Sequence, residues 1–262
     1  MKLTEEQRVE LAEHLDRAHV ERREVVKITD KYPDLDIEDA YAIQELMKQR
    51  KIARGEKVVG LKLGLTSHAK MKQMGVETPV YGFLMDTFVA QDAAAIPMAE
   101  LLHPKVEPEI AFFIKDAIRG PGCNIGTVLA ATAFVMPAIE VIDSRFKDFK
   151  FDLVSVVADN TSATRFIVGG KATPVENLDL ATLGVVLEKN GKVELVGAGA
   201  AVVGNPATAV AMLANHLAAT GEEIPAGSII LSGGITEALA VKAGDDIALH
   251  VQGLGMVSTR FV

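Results

Sequence analysis

The chain has 262 residues, 49% hydrophobic and 24% charged, which places it with ordinary globular proteins and away from disordered chains. A formal net charge of -8, with no run of Lys and Arg, argues against nucleic acid as a partner. No apolar stretch reaches the roughly 18 residues that a bilayer span needs. The charged start MKLTEEQRVELAEHL has no signal-peptide core either, so no membrane association is expected and a cytoplasmic location is. The single cysteine, Cys123, reads as a small filler residue.

The first elements are helical. Thr4 and Gln7 form a capping-box pattern ahead of a sparse stripe of Leu11, Leu15 and Val20. A second helix is expected from Asp36 through Ala40, Ile43, Leu46 and Met47, ending at Gly55. From Val58 the pattern changes to short apolar runs between Gly, Pro and Asn. VVGLKLGL (58–65), EIAFFIK (109–115), FVMPAIEVI (134–142), LVSVVA (153–158) and RFIVGG (165–170) all read as strands. Asn190-Gly191 marks a tight hairpin turn between two further strands. One late helix follows, capped by Asn205 with Pro206 at its first position, and the chain finishes in strands. The expected fold class is α+β, with a helical N-terminal region over 1–57 and a β-rich catalytic body over 58–262.

Charges inside apolar strands are the informative residues. Lys62 interrupts VVGLKLGL, Glu107 and Glu109 open VEPEIAFFI, and Glu140 interrupts AFVMPAIEVI. Residues two apart on a strand share a face, so Glu107 and Glu109 point the same way. Both faces of that strand soon turn apolar, which weakens the reading of a solvated face without removing it. No simple period exposes Glu140, and an isolated buried charge is too costly to stand alone. Two readings remain open from pattern alone: internal salt bridges to Lys62 or Arg145, or three carboxylates around a hard divalent cation such as Mg2+ or Mn2+. Pro108, between the two glutamates, cannot donate to a sheet ladder and predicts an edge or bulged strand. His68, His103, His216 and His250 are scattered and read as structural. Asp159-Asn160-Thr161-Ser162 and Ser232-Gly233-Gly234-Ile235-Thr236 each follow an apolar run and read equally as turns or as ligand contacts.

Taken together, GLKLGLTS (60–67), HPKVEPE (103–109), PAIEVIDSR (137–145) and VADNTS (157–162) resemble the fumarylacetoacetase-like superfamily, and within it the hydratase/decarboxylase family of aromatic meta-cleavage pathways. The match spans nearly the whole chain in order. It implies a rolled mixed β-sheet body with a smaller N-terminal part, a metal on Glu107, Glu109 and Glu140, and Lys62 facing the substrate. Two activities share that family: decarboxylation of 2-oxo-3-hexenedioate (4-oxalocrotonate) through a metal-stabilised dienolate, and hydration of 2-hydroxypenta-2,4-dienoate (vinylpyruvate). Hydratases usually carry an aspartate where this chain has Val80, so the resemblance points to the decarboxylase branch. Ser162 and Thr236 are expected to hold the substrate's proximal carboxylate, and Asp143 and Arg145 to pair behind the ligands. The resemblance further implies association with the hydratase, leaves room for a homo-oligomer, and keeps two alternatives: the hydratase itself and a non-catalytic partner subunit.

Overall fold

The computed structural model describes residues 1–262. Two helices open the chain, α1 (Glu5–Glu21) and α2 (Ile37–Ala53). Thr4 and Gln7 close the expected capping box on α1, and Asp36 caps α2. Leu11 and Leu15 are buried, but Val20 is exposed, because five residues beyond Leu15 the helix has turned away from its buried face.

The body holds β1 (Val58–Gly64), α3 (His68–Met74), β2 (Val80–Met85), β3 (Val89–Ala90), β4 (Ala95–Ile96), β5 (Pro104–Ile114), α4 (Ile125–Ala131) and β6 (Thr132–Asp143). It continues with α5 (Leu153–Ala158), β7 (Ala163–Val168), β8 (Gly184–Lys189), β9 (Lys192–Ala198) and α6 (Pro206–Leu217), then β10 (Ile229–Leu231), β11 (Leu239–Ala240), β12 (Asp246–Val251) and β13 (Gly255–Phe261). One sheet runs β2-β1-β10-β5-β6-β7-β3, with β11 also on β5; a second runs β4-β13-β12-β8-β9. The first is mixed: β1–β10 and β3–β7 are parallel, whereas β5–β6 is a long antiparallel pair.

Alternation along β5 and β6 divides the core. Val106, Ile110, Phe112, Val135, Ile139 and Val141 point toward the second sheet and join Leu187, Ile247 and Leu249. The opposite face meets α1, α2 and α5 through Ala111, Ala138, Phe166 and Phe83, packed with Leu15, Ile43 and Val157. The N-terminal helices therefore share one continuous core with the body strands.

Two strand expectations are corrected. LVSVVA is helix α5, not a strand: Asp152 accepts the Ser155 amide and starts it, and its residues pack beside α2. The valines favour strand by propensity, but the cap and the packing outweigh that weak preference. Pro108 lies neither on an edge strand nor at a bulge. It pairs in register with Ile139 inside the sheet, and its carbonyl accepts from Ile235 on the other side. Its missing N–H therefore faces the gap between β10, which pairs with Ala111–Phe113, and β11, which pairs with Lys105 and Val106.

Candidate active site

The β5–β6 register sets the site. Glu107 stands directly opposite Glu140, and Glu109 opposite Ala138, so all three carboxylates leave one face of the sheet. Like charges directly opposite one another destabilise a ladder unless something offsets them. One offset is Lys62, which reaches across from β1 to place Nζ 2.8 Å from Glu140 Oε1. Both side chains are buried.

Lys62 is held from behind by a turn. Its ammonium donates to the Thr161 carbonyl at 3.1 Å. That carbonyl belongs to three consecutive left-handed residues, Asn160, Thr161 and Ser162. Such backbone costs of order 1–3 kcal/mol per residue and persists only where its surroundings over-determine it. Here the Asn160 side chain accepts from the Phe83 amide at 2.8 Å and donates to the Phe83 carbonyl at 3.0 Å, tying the turn to β2. Gly82, opposite Lys62 on β2, leaves the room: a Cβ there would lie 2.5 Å from Thr161 Oγ1.

The turn also corrects the partner of Arg145. That guanidinium does not pair with the Asp143 carboxylate, which instead accepts from the Leu102 and His103 amides. Arg145 donates to Asp159 Oδ1 at 2.8 Å, to the Asp159 carbonyl and to the Asp143 carbonyl. It thus bridges the end of β6 to the turn under Lys62. Burial pushes Asp159 up to about 6 against the pull of Arg145. Removing one partner of such a buried pair typically costs about 3–5 kcal/mol. Arg145→Met is therefore expected to lose stability on that scale, read as a lower denaturation midpoint at unchanged slope; an unchanged midpoint would show that the bridge is dispensable.

The remaining residues of interest sit as follows. Ser162 Oγ is buried with no hydrogen-bond partner, as are Thr161 Oγ1 and Ser232 Oγ. Thr236, by contrast, is half-buried and already donates its hydroxyl to the Glu237 carbonyl. Val80 is buried and pairs with Gly64, on the Lys62 face of the β1–β2 pair. His103 pairs with Glu24, four residues before Glu107 and so about 13 Å along the strand. The Thr161 carbonyl and Lys70 escaped the sequence reading, whereas Asn160 and Ser232 lie in the two segments that read equally as turns or as ligand contacts.

The carboxylate cluster fits a divalent cation. One oxygen from each of Glu107, Glu109 and Glu140 lies within 4.8 Å of the others. Glu109 Oε1 and Glu140 Oε2 have no hydrogen-bond partner in the protein, while Glu109 Oε2 accepts from the Gly233 amide at 2.7 Å. Three negative charges against one lysine leave an excess of two, which a hard divalent cation with oxygen ligands matches.

The ionisation of the metal-free cluster reflects that excess. Burial, then the Glu140 and Glu107 charges, hold the Glu109 carboxyl well above the usual carboxylate range. Burial also raises Glu140, but less, because Lys62 contacts it directly. Burial pushes the Lys62 ammonium down, yet Glu140, Glu107 and Glu109 outweigh it and hold the lysine above its ordinary value. A carboxyl raised on folding contributes stability below its unfolded value of about 4.3, and that contribution is lost as pH climbs through the folded value. A bound cation replaces those protons. The melting-temperature gap between Mg2+-saturated and chelated protein is therefore expected to widen as pH rises above the ordinary carboxylate range; a gap independent of pH would contradict it.

Comparison with known proteins follows the same lines. The model of the fumarylacetoacetate (FAA) hydrolase C-terminal family matches residues 57–262. The chain belongs to this family. Within it, the chain is 58% identical over 260 residues to 4-oxalocrotonate decarboxylase of Pseudomonas sp. (strain CF600), covering 99% of this chain and 98% of that one. It is 38% identical over 259 residues to 2-keto-4-pentenoate hydratase of Paraburkholderia xenovorans (strain LB400), covering 99% and 96%. Among solved structures, 4-oxalocrotonate decarboxylase from Pseudomonas putida G7, complexed with magnesium and adipate, superposes with a TM-score of 0.98 at 54% identity, over 100% of this chain and 99% of that one. This chain is a family enzyme with a divalent-metal centre on a rolled mixed sheet, and no helix in it is long and apolar enough to cross a membrane.

Proposed function

We propose that the chain decarboxylates 2-oxo-3-hexenedioate (4-oxalocrotonate) to 2-hydroxypenta-2,4-dienoate and CO2. The observation that carries this reading is the cluster of Glu107, Glu109, Glu140 and Lys62, joined to 58% identity with a decarboxylase of that name. The distal carboxylate of this substrate is a vinylogue of a β-keto acid. The C5–C6 bond breaks, its electron pair forms the C4–C5 double bond, and the C3–C4 double bond shifts to C2–C3 as charge reaches the 2-oxo oxygen.

Glu107, Glu109 and Glu140 would hold the cation, which when bound supplies Lewis-acid charge to the 2-oxo acid end of the substrate. Lys62 stays protonated beside Glu140 and presents its ammonium to the same oxygen, where it stabilises developing negative charge and can return a proton. Ser162, whose hydroxyl is buried and unpartnered, takes the proximal carboxylate. Thr236 serves the same end only after turning its hydroxyl from the Glu237 carbonyl. Val80 on the Lys62 face offers an apolar surface to the carbon chain of the substrate, where a hydratase would want an acid to activate water. Asp159 and Arg145 act behind the site by holding the turn that receives Lys62.

The dienol product is reactive, which favours handing it to a hydratase in a complex, and both enzymes would work in the cytoplasm. Product analysis tests the reading. The purified chain with Mg2+ should release CO2 from the dicarboxylate and leave the dienoate unhydrated; hydration of the dienoate with no CO2 release would overturn it.

A further inference from the structure

Apart from Lys62, one cation lies within ion-pairing distance of the three carboxylates. Lys70 Nζ is 4.0 Å from Glu107 Oε1. Lys70 belongs to α3, which Ser67 caps directly after the strand that carries Lys62. Its side chain is 40% exposed and that of Glu107 14%, whereas Glu109, Glu140 and Lys62 are fully buried. The pair therefore marks the open side of the cluster.

Other nearby cations are engaged elsewhere. Lys105 shares the sheet face of Glu107, but its ammonium lies 3.9 Å from the centre of the Phe149 ring. Arg145 is bound to Asp159 and Arg165 to Glu100. Lys70 is also surplus to the charge balance at the centre, because three carboxylates, Lys62 and a divalent cation already sum to zero. Once Glu107 ligates a cation, its charge is shared there and its weak hold on Lys70 loosens.

We propose that Lys70 receives the distal carboxylate of the substrate and so selects dicarboxylates over monocarboxylic 2-oxo acids. This rests on the decarboxylase reading and deepens it. The distal carboxylate is the group that leaves as CO2, so its charge moves away from Lys70 and toward Lys62 as the reaction proceeds. A contact made in the ground state and lost in the transition state acts on binding. Removing Lys70 therefore raises KM for the dicarboxylate without lowering kcat.

The test compares 2-oxoadipate with 2-oxohexanoate, two acids of equal chain length that differ in the terminal carboxylate. Binding of each to Mg2+-saturated protein is measured by calorimetry for the unaltered chain, Lys70→Met and Lys70→Arg. The unaltered chain is expected to prefer 2-oxoadipate. Lys70→Met should weaken 2-oxoadipate about fivefold, the upper range for a partly exposed ion pair, while 2-oxohexanoate affinity stays unchanged and Mg2+ affinity holds or tightens; Lys70→Arg should restore the preference. Retention of the full preference in Lys70→Met, or equal weakening of both acids, overturns the proposal. The readout is binding, so it stands apart from turnover: absent CO2 release by the unaltered chain would count against the decarboxylase reading instead.

Discussion

Lys62→Met is expected to lower kcat by about 10²–10³, the usual loss when one preorganised donor to developing negative charge is removed. The lysine is buried, and its two contacts, Glu140 Oε1 at 2.8 Å and the Thr161 carbonyl at 3.1 Å, fix where its charge sits. Methionine keeps much of the volume and none of the charge. It also takes one positive charge away from the carboxylates, so Mg2+ affinity should hold or tighten. Activity and metal binding are thus predicted to move apart. Mg2+-dependent melting alongside steady-state kinetics checks this; parallel loss of both would mean that Lys62 serves the metal site rather than the reacting oxygen.

Glu140→Gln should do the reverse. Glutamine keeps the shape but loses the anionic ligand, and the cluster falls from three carboxylates to two. Losing an outer partner of a metal ligand already costs about 10–100-fold in affinity, and losing the ligand itself should exceed that. Decarboxylation should then fail at moderate Mg2+ and recover in part at high Mg2+. Calorimetric titration with Mg2+ reads the first effect directly. Wild-type affinity in Glu140→Gln would remove this residue from the site.

Much of the candidate site is legible in the sequence, for reasons that are physical. Period-two alternation puts Glu107 and Glu109 on one face, and Glu140 is a charge that no strand period exposes. What alternation cannot give is register. That Glu107 meets Glu140 depends on how the chain between β5 and β6, α4 included, returns across the sheet. Lys62 was recognised as a charge needing a partner, but its second contact is a backbone carbonyl, and no side-chain pattern marks a carbonyl. Arg145 found Asp159 rather than Asp143 because the Asp143 carboxylate was taken by two backbone amides. Pro108 misled because proline in a strand suggests an edge; a neighbour interrupted between β10 and β11 satisfies the same constraint inside a sheet. LVSVVA misled because β-branched residues speak for strand, while the Asp152 cap and the packing beside α2 settle it as helix.

The carboxylate cluster is the centre of the functional reading, and metal dependence of turnover tests it most directly. The purified chain is stripped with a chelator, and CO2 release from 2-oxo-3-hexenedioate is followed as Mg2+ is returned. Turnover is predicted to be lost on chelation and restored in a saturable way by Mg2+. Undiminished CO2 release from the stripped protein would contradict it.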